Sequence, residues 1–121
     1  MDKKMRTHKD LEIWKLAMEL VTNIYKKTKT FPKEEIYGLT SQLRRSAISI
    51  PSNIAEGAAR ESKKEYLHFI YISLGSLSEF EIQIIISENL GYLKSEDLLK
   101  DVEILRRKML NFFKYLKGIK S

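Results

Sequence analysis

The chain has 121 residues, 43% of them apolar and 31% charged, with 22 Lys and Arg against 16 Asp and Glu, a formal charge of +6 and no cysteine. That length supports one domain, residues 1–121, with a real core, and leaves too little for a second. Without thiols there are no disulfides, thiolate metal sites or cysteine nucleophiles; with neither a signal-peptide h-region in MDKKMRTHKDLE nor a run of about 18 apolar residues, a cytoplasmic protein away from membranes is expected.

Residues 1–9 form a basic arm, Lys3, Lys4, Arg6 and Lys9 against Asp2. A first helix is expected from about Asp10 to Thr28, where Leu11, Trp14, Met18, Val21 and Tyr25 step by three and four, and Phe31-Pro32 stops it. Glu34 and Glu35 suit the positive end of a second helix carrying Ile36, Leu39, Leu43, Ala47, Ile50 and Ile54 on one face, which fades near Arg60. Ser62-Lys63-Lys64-Glu65 is a capping box for a third helix, closed at Leu90-Gly91 by a glycine at the left-handed stop. Ser95, Glu96 and Asp97 open a fourth, in which Leu98, Val102, Leu105, Met109, Phe112 and Leu116 descend to Gly118. Two prolines, five glycines and no Asn-Gly or Asp-Gly signal make the chain all-α. Connections of a few residues force an antiparallel up-down-up-down four-helix bundle.

Pro51 lies inside the second helix. It removes one ladder hydrogen bond and crowds the carbonyl of Ala47, so a kink or a break is required. A break would leave Ile50 as a cap, which isoleucine serves poorly, so a kink is expected. Ser46, Ser49, Asn53, Gly57 and Arg60 then form a ridge of mostly small residues that admits a neighbouring backbone, with Ser73, Gly75, Ser76 and Ser78 of the third helix as its counterpart. The alternative is a ligand site made by the freed carbonyls and the Asn53 amide.

The helices carry more apolar surface than one bundle hides. Ile13, Ala17, Leu20 and Ile24 make a second stripe on the first helix, widening its apolar arc to roughly 220°. On the third, Leu67, Ile70, Leu74, Leu77 and Ile84 cover one side while Ile72, Ile82 and Ile86 point elsewhere. Helices apolar nearly all round are buried all round, so further copies of the chain are expected to cover the excess.

Several segments resemble a known family. LEIWKLAMELV, FPKEEIYGLTSQLRRSAISIPSNIAEG, SLGSLSEFEIQ and ENLGYL, in this order and spacing over roughly residues 8–93, are similar to the bacterial 23S rRNA intervening-sequence proteins. The resemblance implies a four-helix bundle assembled as a ring of five, with a basic surface and no catalytic activity. A relative, the accessory variability determinant of diversity-generating retroelements, works with a reverse transcriptase and RNA.

In an antiparallel bundle, the start of the first helix, the end of the second, the start of the third and the end of the fourth share one pole. The arm converges there with Arg60, Lys63 and Lys64 and with a last stretch holding Arg106, Arg107, Lys108, Lys114, Lys117 and Lys120. The opposite pole mixes Lys26, Lys27, Lys29 and Lys33 with Glu34, Glu35, Glu96 and Asp97. A basic rim suits phosphate backbones, so sequence-tolerant RNA or DNA binding is expected through Lys3, Lys4, Arg6, Lys9, Arg60, Lys63, Lys64, Lys114, Lys117 and Lys120. The alternative is a protein-interaction scaffold for an acidic partner or a reverse transcriptase. Arg44 and Arg45 lie mid-helix and are expected to serve ion pairs or subunit contacts, with phosphate binding by the pair as the alternative: Arg45 shares a stripe with Glu56 that can face a neighbouring subunit, Arg44 flanks the core, and Glu81, inside an apolar arc, needs a partner such as one of these arginines.

Catalytic and metal chemistry find no footing. A di-iron bundle needs two Glu-x-x-His units, and only Glu65 to His68 supplies one. His8 and His68 lack serine and acid partners, and no Gly-rich phosphate loop follows a strand. No cofactor and no enzyme activity are expected. Phe112, Phe113 and Tyr115 fit core or subunit contact better than base stacking.

Overall fold

The computed structural model describes His8 and residues 11–119. Regular structure there is helical throughout: α1 (Glu12–Thr28), a 3₁₀ turn (Lys33–Glu35), α2 (Leu39–Ala58), α3 (Lys63–Asn89) and α4 (Glu96–Gly118). Consecutive helices pack together and α4 closes onto α1, whereas among the described residues the diagonal pairs do not meet, which is up-and-down topology. The contact between α2 and α3 is the most extensive, and that between α1 and α4 the thinnest.

The core is built from helical stripes: Leu43, Ala47, Ile50 and Ile54 on α2, Ile70, Leu77, Phe80 and Ile84 on α3, and Leu98, Val102, Leu105, Met109 and Leu116 on α4. Each large side chain buried in this way stabilises the fold by about 1.5–3 kcal/mol. On α1 the core stripe is Ile13, Ala17, Leu20 and Ile24. The expected leading stripe is the outer one, with Trp14 and Val21 half-buried and Met18 and Tyr25 exposed. Ala17, a small residue on the inner face, permits a close approach to α2, the neighbour that α1 contacts more extensively.

The α1–α2 connection is longer than expected and spans residues 29–38. Phe31 is buried there against the Tyr92 ring at 5.2 Å. The Glu35 carboxylate accepts from the Leu39 N–H at 3.1 Å and from the Tyr92 hydroxyl at 3.0 Å, so it caps α2 and ties the α1–α2 and α3–α4 connections together. The second helix therefore starts at Leu39 and not at Glu34, leaving Ile36 outside it and 53% exposed.

α2 runs unbroken through Pro51, which rules out a new helix capped by Ile50. The expected small-residue ridge lies on the α2/α3 seam. Ser46 Oγ donates to Gln83 Oε1 at 2.7 Å, the Ser49 and Ser76 hydroxyls bond at 2.8 Å, and Ser73 Oγ donates to the Ile50 carbonyl at 2.8 Å. The Asn53 amide is occupied by the carbonyl and hydroxyl of Ser49, which answers the ligand alternative at the proline. Gly57 completes the seam beside Tyr66 and Phe69, while Gly75 faces open space and takes no part.

Ser62 Oγ accepts from the Glu65 N–H at 3.1 Å, the first half of the capping box. Gly91, at φ +80°, ends α3 in a Schellman turn: its own N–H reaches the Glu88 carbonyl and that of Tyr92 reaches Ser87. Ser95 occupies the N-cap position of α4 without a side-chain cap. Its N–H instead donates to Glu88 Oε1 at 2.6 Å, and the Ser95 side chain and backbone together hold the Glu88 carboxyl below the ordinary carboxylate range.

α3 departs from expectation in one further respect. By length and composition it is apolar enough to cross a membrane, with a mean hydropathy of 1.4 over 18 residues. Its buried Ser73 and Gln83 are nevertheless bonded to α2, and its Phe80 and Ile84 lie in the core, which seats one face of the helix in the bundle.

Candidate nucleic-acid interface

The near pole gathers the start of α1, the end of α2, the start of α3 and the end of α4. Contacts across it are direct: Lys108 pairs with Glu12 at 3.2 Å, the Tyr66 and Phe112 rings meet edge to face at 5.7 Å, and Lys63 reaches the last turn of α4. Arg60, Lys63, Lys64, Lys114 and Lys117 thus lie at one end of the bundle. Lys3, Lys4, Arg6, Lys9 and Lys120 fall outside the described residues.

These cations are not equivalent. Arg60 is tied to Glu56 at 2.5 Å on its own helix, and its guanidinium lies 4.9 Å from the Phe69 ring centroid. Lys63 Nζ donates to the carbonyls of Lys117 and Ile119, compensating the negative end of α4. Glu61 and Glu65 add negative charge on the α3 side. Lys64, Lys114 and Lys117 are exposed and have no carboxylate partner among the described residues. A cleft of about 540 Å³ opens beside Lys64, lined by Arg60, Glu61, Ser62, Lys63, Lys64, Tyr66, Leu116 and Ile119. Burial pushes the Tyr66 phenol up to about 12.

Glu81 has a different partner from the one expected. It accepts from Arg106 at 2.6 Å, and Arg106 also meets Glu103 at 3.1 Å. Glu81 lies on the α4 side of α3, beyond reach of the arginines of α2. Arg44 turns towards α1, donating to Thr28 Oγ1 at 2.9 Å with its guanidinium 4.4 Å from the Tyr25 ring centroid. Arg45 makes no ion pair among the described residues and lines a polar cleft on the α2/α3 seam. Glu56 is claimed by Arg60 and not by Arg45.

Sequence periodicity missed Arg106 as an internal partner because its helix end looked uniformly basic. It also passed over Tyr37, which is 95% exposed in the turn before α2. The available signal was an aromatic residue next to Gly38, out of register with both helical stripes. Among the described residues, no three His, Asp or Glu side chains gather closely enough to hold a metal ion.

The family described as 23S rRNA-intervening sequence protein matches residues 9–111. No curated protein matches the chain.

Proposed function

The chain belongs to the 23S rRNA-intervening sequence protein family, and on that footing we propose a non-enzymatic, cytoplasmic, self-assembling bundle that binds RNA or DNA by its phosphate backbone at the near pole. The observation that carries this is the grouping of exposed Lys64, Lys114 and Lys117 at one end of the bundle without carboxylate partners among the described residues. Lys3, Lys4, Arg6 and Lys9 precede α1 in sequence and Lys120 follows α4, so the chain attaches further positive charge to the same helix ends.

Assembly has its own support. Tyr71, Ile82 and Ile86 follow one another along the outer face of α3, at 68%, 56% and 42% exposure, and Ile85 flanks them. Apolar rows of this kind on a small domain are covered by partners, here further copies of the chain in a ring of five. A ring repeats the lysine cluster around one rim and multiplies its field.

Salt titration of binding to random single-stranded RNA tests the function. Each phosphate contact contributes roughly 0.7 to the log–log slope, so replacing Lys64, Lys114 and Lys117 with alanine lowers the slope by about 2 per protomer engaged. Absence of binding at low salt, or an unaltered slope in the triple variant, overturns the proposal. Light scattering tests assembly; a stable monomer refutes that part.

A further inference from the structure

We propose that the polar cleft on the α2/α3 seam is a single-strand subsite, in which Tyr37 stacks on a base and Arg45 holds an adjacent phosphate. This rests on the nucleic-acid function proposed for the near pole and extends it to a second region.

Tyr37 is the starting point. At 95% exposure its ring presents almost its whole surface to solvent. The turn beneath it is firmly mounted, because Glu35 caps the Leu39 N–H and accepts from Tyr92. An unstacked aromatic ring carried on a fixed turn is the element that single-strand binders use as a platform, since every base offers a π-face. A paired base in a duplex is already stacked, which makes the platform selective for single strands.

Arg45 supplies the charge. Arg44, Arg60 and Arg106 each have a carboxylate or hydroxyl partner, whereas Arg45 and Arg107 have none among the described residues, and of these two only Arg45 lines the cleft. Arg45 shares that cleft, of about 580 Å³, with Tyr37, Ser41, Gln42, Ser46, Ser49 and Glu79. Ser46 is engaged with Gln83, and Ser49 with Ser76 and Asn53, which leaves Ser41 and Gln42 as the polar groups for a strand. Glu79, on the α3 lip, repels phosphate and accepts from base amines, so the backbone is directed to the α2 side and the base edges towards α3.

The cleft also has a direction. Arg45, Ser49, Glu56 and Arg60 follow one flank of α2, with the carboxylate of Glu56 neutralised by Arg60. Arg60 lies just beyond the end of α2 at Ala58, fifteen residues on from Arg45, or about 22 Å at the helical rise, a span of several nucleotides of single strand. A strand held by the lysines at the near pole therefore reaches Tyr37 along this flank.

Fluorescence anisotropy with a labelled 12-nucleotide RNA, beside a blunt RNA duplex of equal phosphate count, tests this on the full-length protein. Tyr37→Ala weakens single-strand binding by about tenfold at unchanged salt slope and leaves the duplex unaffected. Tyr37→Phe retains affinity, and Arg45→Gln lowers the single-strand slope by roughly 0.7. Wild-type affinity in Tyr37→Ala, or equal losses on both RNAs, overturns the subsite. So does a fall in assembly mass by light scattering with RNA affinity intact, which would give the cleft to a second copy of the chain. Loss of the single-strand preference in Tyr37→Ala, alongside an unaltered slope in the lysine variant, would retain the cleft and reject the pole; no binding by the wild type rejects both.

Discussion

Replacing Gly57 with alanine measures how closely α2 and α3 approach at the near pole. On the present backbone the added Cβ would lie 3.0 Å from Phe69 Cβ, 3.0 Å from Tyr66 Cδ1 and 3.2 Å from the Tyr66 carbonyl oxygen. The Tyr66 ring can swing aside, but Phe69 Cβ and the carbonyl are fixed to the α3 backbone. Apolar carbons pack at about 3.5–4.0 Å, so the helices must part by roughly half an ångström, and overpacking of this kind costs about 1–3 kcal/mol. Against it stands at most about 1 kcal/mol that alanine gains over glycine in a helix, less near the helix end where Gly57 sits. The net effect runs from about neutral to about 2 kcal/mol destabilising or slightly more. Gly75 provides the reference, because a Cβ there meets nothing within 4 Å and Gly75→Ala keeps its full gain in the single chain. The two variants should therefore differ by at least about 1–3 kcal/mol. Urea unfolding followed by circular dichroism, below the concentration of self-association, measures the difference. Equal stability of the two variants would refute the close approach.

Arg106→Met strips Glu81 of its partner in a half-buried setting and should lower stability by about 1 kcal/mol, with solvent screening holding the loss below that of a fully buried pair. Glu81→Gln should cost less; equal urea midpoints for Arg106→Met and the wild type would reduce the pair to a surface contact. Ser46→Ala leaves the buried Gln83 Oε1 without its donor and should cost about 1–3 kcal/mol, whereas removing both polar groups with Ser46→Ala and Gln83→Leu should recover much of that in a double-mutant cycle. Tyr66 governs an alkaline limb. Its folded pKa, about 12, exceeds the ordinary 10.0, so its contribution is whole below pH 10 and is lost as pH rises through 12. Thermal unfolding of Tyr66→Phe should fall less steeply than wild type across that window, and parallel curves would count against burial as the cause.

Much of the bundle was legible because its residues carry local signals. Gly91 takes the left-handed turn that Leu90-Gly91 announces, and Ser62 caps α3 through its hydroxyl. The serines of α2 meet α3 along the expected seam, since small residues at helical spacing permit a close backbone. Partners distant in sequence were less accessible. Glu81 needed a cation, but α2 and α4 both flank α3, and one-dimensional periodicity does not say which flank a carboxylate faces; the answer, Arg106, needs the crossing of α3 and α4. The candidate site divided in the same way. The helix ends placed Arg60, Lys63, Lys64, Lys114 and Lys117 together, but only side-chain geometry reveals that Glu56 holds Arg60 and that the α4 carbonyls hold Lys63.

The two stripes of α1 show why excess apolar surface has structural meaning. Trp14, Met18, Val21 and Tyr25 are the bulkier set and would be the natural core by size alone. The fold instead buries Ile13, Ala17, Leu20 and Ile24. The bulkier stripe is left along an apolar groove in which Trp14, Met18 and Val21 face Ile48, Pro51 and Ala55 of α2. Together with Tyr71, Ile82 and Ile86 on α3, the chain thus carries two separate apolar surfaces on different helices. Where two unlike surfaces fit one another, each copy can donate one and receive the other, and a head-to-tail rotation that closes yields a ring. Pro51 then has a second effect, because its ring, buried in the floor of this groove, helps shape the surface that a neighbour would meet. Introducing a charge on one surface alone, as in Ile82→Lys, should therefore prevent closure and give monomers by light scattering, and an unchanged assembly mass would show that the α3 face is not part of the contact.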